Sequence, residues 1–198
     1  PDLQDRHFPV HGNWQGLSLG WTGTAWLGHV LSVGDHRLNH VQPWVEKNPI
    51  TVQGSIQQAV TGLDFTDDRL ENVLDALSND AGWAAFETEL NQRTLRVYDL
   101  KAEVVRVDSS TASGYGSVTE DGLFQFGHSK DHRPDLPQVK VVQSVLDPFG
   151  MPVATQVVSG EKADDPLYIP AIRQVREGVR KRGLLYVGDC KLMSLDNR

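Results

Sequence analysis

The chain has 198 residues, of which 39% are hydrophobic and 23% are charged, and its formal net charge is −7. This length can bury one good core or two small ones, and the composition excludes a disordered chain. No apolar run approaches the roughly 20 residues of a membrane-spanning helix, so we expect no membrane partner. The single cysteine, Cys190, excludes an intramolecular disulfide and is typical of a reducing compartment. We expect it to be buried at the end of a strand.

Charge is distributed unevenly along the chain. Residues 1–100 contain 6 Lys and Arg against 13 Asp and Glu, whereas residues 101–198 contain 13 of each class. Proteins that bind nucleic acids usually have a basic surface, and the overall charge gives no sign of one. Any contact with nucleic acid therefore depends on local clusters of basic residues.

The first half has the periodicity of helices. Apolar residues recur at helical spacing from Leu70 to Leu77 and define one apolar face. Thr66 is a suitable N-cap for this helix, because its hydroxyl oxygen can accept a hydrogen bond from the first turn. Further helices are predicted over residues 20–33, 36–46 and 82–100. The sequence therefore predicts a helical N-terminal domain over residues 1–98.

After Asp99 the pattern changes to that of strands. The turn DPFG lies between two apolar runs, and its Pro and Gly suit a hairpin. The predicted elements in chain order are strands over 102–107, 139–147 and 151–160, a helix over 169–182 and a last strand over 184–189. The predicted fold class is α+β, with three antiparallel strands, a helix and a parallel strand forming a second domain over residues 99–198.

Two aspartates follow strands that this topology brings together. A strand that follows a helix packed on a sheet returns by a right-handed crossover and lies parallel to a neighbour. If that neighbour is the strand 102–107, Asp108 and Asp189 lie side by side at the carboxyl ends of the strands, where sites of open α/β sheets form. Two adjacent carboxylates suit Mg²⁺ or Mn²⁺. The alternative is that each aspartate is a turn former or a helix N-cap.

Several longer segments carry a family resemblance. In the second half they are VRVDSSTASGY, GLFQFGHSKDHRPDLPQVKV, DPFGMPVATQVVSGEKADDP and GLLYVGDCKL. In the first half they are HGNWQGLSLG, GDHRLNHVQPW and DFTDDRLENVLDALS. Together these segments resemble the DDE (Asp-Asp-Glu) transposases of bacterial insertion sequences, and the resemblance covers nearly the whole chain.

The resemblance implies an RNase H-like catalytic core that binds two divalent ions, Mg²⁺ or Mn²⁺. Asp108 corresponds to the first acid of the triad and Asp189 to the second, so both are expected to be catalytic residues and metal ligands. The third acid of the family is a glutamate on a later helix. No glutamate follows Glu177 before the chain ends at Arg198. We therefore expect a truncated core that is inactive alone.

Three acids upstream of Asp189 offer a substitute for that glutamate. Glu161, Asp164 and Asp165 precede the predicted helix, and RNase H enzymes use an acid on the equivalent helix. Asp164 and Asp165 lie directly before Pro166, however, and this arrangement is typical of an N-terminal capping cluster. Capping is the simpler interpretation.

The hydrophilic loop GHSKDHRPDL is the first candidate DNA contact. Its basic side chains, Lys130, His132 and Arg133, are suited to binding a DNA phosphate or to ordering a metal site. The alternative is a salt-bridged turn in which Asp131 and Asp135 neutralise these cations.

The predicted helix supplies the second candidate DNA contact. Arg173, Arg176 and Arg180 recur at spacings of three and four, so they line one face and can follow phosphates. The alternative is a solvated face whose last cations complement the helix dipole. The implied partners are double-stranded DNA and, in the complete protein, further copies of the chain, in the bacterial cytoplasm near the nucleoid.

Two functions therefore remain open at this point. The first is a DNA transposase that cleaves and joins strands with divalent metal ions. The second is a non-catalytic module, derived from a transposase, that binds DNA or other subunits. Reading the frame downstream of Arg198 would show whether a glutamate-bearing segment continues it.

Overall fold

A computed structural model of the chain describes residues 1–194. These residues divide into two units, Pro1–Phe86 and a second that begins at Glu87, and the division falls within a long helix. The helices of the first part of the chain are α1 (Asp2–His7), α2 (Leu19–Val33), α3 (Val41–Lys47), α4 (Pro49–Ile56), α5 (Asp67–Leu77) and α6 (Asp80–Val97). None of the helices described in residues 1–194 has the length and apolar composition that crossing a bilayer requires.

The first unit is held together by apolar helix faces. Val41, Phe65 and Leu70 are fully buried in its largest cluster. Thr66 caps α5, as predicted, since its side chain accepts a hydrogen bond from the backbone N–H of Arg69 at 3.3 Å. The apolar pattern of the sequence therefore selects the helix faces that meet in this core.

One buried acid joins two segments of this unit. The carboxylate of Asp64 accepts hydrogen bonds from the backbone N–H of Leu17 at 3.1 Å and from that of Thr61 at 2.9 Å. The Thr61 hydroxyl donates to the same carboxylate at 3.0 Å. Burial raises the pKa of Asp64, but these hydrogen bonds outweigh it and hold the pKa below its usual value.

The second unit is a mixed sheet covered by a helix. Its elements are β1 (Val104–Ser113), β2 (Gln138–Leu146), β3 (Met151–Ser159), α7 (Tyr168–Val179) and β4 (Leu185–Val187). The strand order is β3-β2-β1-β4, in which β1, β2 and β3 are antiparallel neighbours and β4 is parallel to β1. The predicted α+β class, with three antiparallel strands and one parallel strand, is confirmed.

The core of this unit lies between the sheet and α7. Val105 and Val107 of β1 and Leu146 of β2 pack with Ala171 and Val175 of the helix, and all five are buried. Burial alternates along β1 with a period of two, as expected for a strand with one covered face. The other face of β1 presents polar and charged side chains.

Two local predictions are wrong. The first strand does not end at residue 107, because the alternation of buried and exposed residues continues through Asp108 to Ser113, and β2 pairs along this whole length. Cys190 is exposed rather than buried, since β4 ends at Val187 and the cysteine begins a short 3-10 helix, Cys190–Met193.

Candidate functional site

Asp108 and Asp189 lie on neighbouring parallel segments. In the register of β1 and β4, Arg106 is opposite Val187, and each aspartate follows two residues later in its own segment. Both residues are exposed. Asp108 is therefore in the middle of its strand, opposite Gln143 of β2, and not at a strand end as predicted. Asp189 lies just beyond the end of β4.

Hydrogen bonds orient both carboxylates. Oδ1 of Asp108 accepts a bond from the backbone N–H of Ser109 at 2.7 Å. Oδ1 of Asp189 accepts bonds from the Tyr168 hydroxyl at 2.5 Å and from the backbone N–H of Lys191 at 2.9 Å. The second of these bonds makes Asp189 the N-cap of the 3-10 helix, so the capping alternative describes part of its environment.

Tyr168 is the link between the helix and the aspartate pair. Its hydroxyl hydrogen bond holds the pKa of Asp189 below its usual value. Burial, the bond to Asp189 and the charges of Asp108 and Asp164 raise the pKa of the tyrosine itself well above its usual range. At neutral pH the neutral tyrosine therefore donates a hydrogen bond to the anionic Asp189.

Asp164 has a different role from the capping predicted for it. It precedes the 3-10 helix Asp165–Leu167, but its side chain makes no capping hydrogen bond. Its buried carboxylate instead accepts hydrogen bonds from Nζ of Lys140, at 2.5 Å, and of Lys191. Nζ of Lys130 lies 3.8 Å away. Burial raises the pKa of Asp164, but these lysines outweigh it and hold the pKa well below its usual range.

Two of the three basic loop residues, Lys130 and Arg133, donate hydrogen bonds to neighbouring residues of the loop and of β1. Nζ of Lys130 donates to the backbone oxygen and hydroxyl of Ser109, beside Asp108. His132 is exposed and has a left-handed backbone, with φ of 57°. Arg133 donates two hydrogen bonds to Asp135, at 2.8 and 2.7 Å, which matches the salt-bridged turn considered above. DNA binding by these residues stays a prediction.

Arg173 and Arg176 of α7 line one groove together with Arg180, which lies just beyond the helix as its C-cap rather than on the predicted helix face. Arg173, Arg176 and Arg180 are exposed, and together with Lys181 and Arg182 they surround a groove of about 790 Å³. The other residues that line this groove are Ile172, Glu177, Gly183, Leu184 and Tyr186. The described residues that line this groove include five basic residues and one acid, Glu177. The groove is therefore positive in a chain whose net charge is −7.

The donors at the aspartate pair are of the type that divalent ions prefer. Carboxylate oxygens suit Mg²⁺ and Mn²⁺, and both residues are exposed. Within residues 1–194 no group of three or more His, Cys, Asp or Glu is arranged to hold a metal ion.

Sequence reasoning missed Tyr168, Lys140 and Lys191. A signal for Lys140 was available, because it occupies an inward position of β2, where the alternation otherwise places buried residues. A lysine at such a position requires a buried acid nearby. Tyr168 and Lys191 gave no comparable signal, since their partners are distant in sequence or lie across the sheet.

The fold and site define an α+β protein with an exposed aspartate pair on a helix-covered mixed sheet. No protein-family model and no curated protein matches the chain. Among solved structures it is similar to the Mos1 transposase paired-end complex with left transposon end, with a TM-score of 0.33 and 9% identity. The match covers 96% of this chain and 57% of that chain. A likeness this distant assigns neither a fold family nor a function.

Proposed function

We propose that the chain belongs to a DNA transposase of an insertion sequence, and that its RNase H-like core supplies two of the acids that hold Mg²⁺ or Mn²⁺ for the cleavage and joining of DNA strands. One observation carries this proposal. Arg106 lies opposite Val187 in the parallel register of β1 and β4, and Asp108 and Asp189 each follow two residues later, although they are 81 positions apart in the sequence.

The residues of the chain have distinct parts in this chemistry. Asp108 and Asp189 would hold the metal ion, and the hydrogen bond from Tyr168 orients the Asp189 carboxylate. A bound divalent ion supplies charge that activates the attacking oxygen or stabilises the leaving oxygen of the phosphodiester. The positive groove beside α7 is available for the DNA backbone.

Metal binding by the aspartate pair is the direct test. Mn²⁺ titration followed by electron paramagnetic resonance is expected to show a site that Asp108→Asn and Asp189→Asn each weaken about tenfold or more. Asp121→Asn, which changes an exposed acid in a loop of the same unit, is the control. Equal Mn²⁺ binding by all three variants would exclude the proposed metal site.

A second candidate is a non-catalytic module that binds DNA or another subunit. The groove lined by arginines favours it, because this surface needs no metal ion to attract phosphates. The result that supports it is DNA binding that Asp108→Asn leaves unchanged, in a protein without a Mn²⁺ site. Metal-dependent strand cleavage abolished by Asp108→Asn would exclude it.

A further inference from the structure

The buried acid Asp164 lies among three lysines. Its side chain is 3% exposed and that of Lys140 is 5% exposed, so these two form a buried ion pair. One lysine neutralises one buried carboxylate. Lys130 and Lys191 approach the same carboxylate, yet their side chains are 33% and 41% exposed. Two ammonium groups are thus held in fixed positions and still reach the surface.

Both lysines also contact the surroundings of the aspartate pair. Lys130 donates through Nζ to Ser109, the residue that follows Asp108. Lys191 donates its backbone N–H to Asp189 at 2.9 Å. Asp164 therefore connects two cations, one from the loop before β2, which contacts the neighbour of Asp108, and one from the segment after β4, on which the charge of Asp189 also acts.

We infer that Lys130 and Lys191 form a phosphate-binding pair for the DNA strand at the Asp108 and Asp189 edge, and that Asp164 is the residue that positions them. This inference rests on the proposed function, which makes a phosphodiester the substrate. Two carboxylates repel the anionic oxygens of a phosphodiester, and fixed cations beside them offset that repulsion. Lys140 remains buried and serves as the counter-ion of Asp164.

A DNA-binding experiment tests whether Lys130 and Lys191 bind phosphate. Fluorescence anisotropy measures the affinity for a short fluorescein-labelled duplex, in the presence of Mg²⁺ and at several salt concentrations. Lys130→Met and Lys191→Met are each expected to weaken binding about threefold to tenfold. Each should also lower the slope of log affinity against log salt by about 1. Lys130→Arg and Lys191→Arg keep the charge and should keep the slope. Lys101→Met, which removes an exposed lysine just before β1, is the matched control.

The variant Asp164→Asn tests whether Asp164 positions the two lysines or affects DNA binding only through its negative charge. Removing a negative charge near a DNA-binding surface should by itself strengthen binding. Loss of the positioning carboxylate should instead weaken it by about threefold or more, because the two ammonium groups are no longer held beside the aspartates. Circular dichroism establishes that the variant is folded. If it does not fold, the lysine variants decide the question.

Three outcomes overturn the inference. They are no measurable binding of the duplex by the unaltered chain, affinities and slopes of the lysine variants equal to those of Lys101→Met, and stronger binding by a folded Asp164→Asn. Failure of the proposed function gives a different result, namely that the unaltered chain does not bind Mn²⁺. A lysine effect without a Mn²⁺ site would establish a phosphate-binding surface that lacks the proposed metal chemistry.

Discussion

At the scale of single residues, the hydrogen bond from Tyr168 lowers the pKa of Asp189. Tyr168→Phe removes the hydroxyl and keeps the ring, so the core under α7 should remain packed. The bond from the tyrosine lowers the pKa of Asp189, and its loss should therefore raise that pKa toward the ordinary value. Carboxyl ¹³C NMR titration measures the change, with Tyr115→Phe, at an exposed tyrosine, as the control. An unaltered Asp189 pKa would show that the bond does not form in solution.

Gly16 is a second residue whose identity the structure explains. Its φ is 77°, and a Cβ atom there would lie 2.5 Å from Oδ1 of Asp64. Gly16→Ala should reduce the free energy of unfolding of the first unit by about 2 kcal/mol, because it adds left-handed strain and displaces the buried carboxylate. All five tryptophans lie in this unit, so urea unfolding followed by tryptophan fluorescence reports on it.

The control for this substitution is Gly12→Ala. A Cβ atom at Gly12 has no neighbour within 4 Å among the described residues. Its effect should stay below about 1 kcal/mol. Similar losses for Gly12→Ala and Gly16→Ala would contradict the argument from the contact with Asp64.

At the scale of elements, Asp64 joins the turn before α5 to the segment that leads into α2. Its pKa is lowered in the folded state, so it adds stability above its unfolded pKa of about 3.9 and loses it as the pH falls through the folded value. Asp64→Asn should cost about 1–3 kcal/mol at neutral pH, because two backbone donors lose a charged acceptor.

Asp64→Asn should also make the free energy of unfolding of the first unit less dependent on pH. Below about pH 5 the unaltered chain should lose stability more steeply than Asp64→Asn, since only the former gains a proton at this site on unfolding. Urea unfolding of the first unit at several pH values, followed by tryptophan fluorescence, measures this difference. Asp68→Asn, at an exposed residue in the first turn of α5, should retain the steep dependence. Parallel pH profiles for all three chains would exclude Asp64 as the source.

At the scale of the whole molecule, a net charge of −7 opposes DNA binding, and local basic clusters must overcome it. Arg176→Gln and Arg180→Gln should each weaken duplex binding and lower the salt slope by about 1, because both line the positive groove. Arg96→Gln removes the same charge from an exposed residue of α6 outside that groove. If all three substitutions have equal effects, only the total charge matters and the groove is not a binding surface.

The sequence by itself determined the element types and the fold class. Helical spacing around Leu70, the cap at Thr66 and the strand pattern after Asp99 are local signals, and neighbouring residues suffice to produce them. The parallel return of β4 followed from the handedness of the crossover, which depends on element order alone.

Only the tertiary structure decided where the chemistry of the site lies. Asp108 is within a strand because β2 pairs beyond it, and this pairing is not encoded in the residues next to Asp108. The partners of Asp164 come from a loop, a strand and the segment after β4, which are separated by 24 to 34 positions from it. Such contacts depend on burial and on charges that meet only after the sheet forms, so short-range patterns cannot predict them.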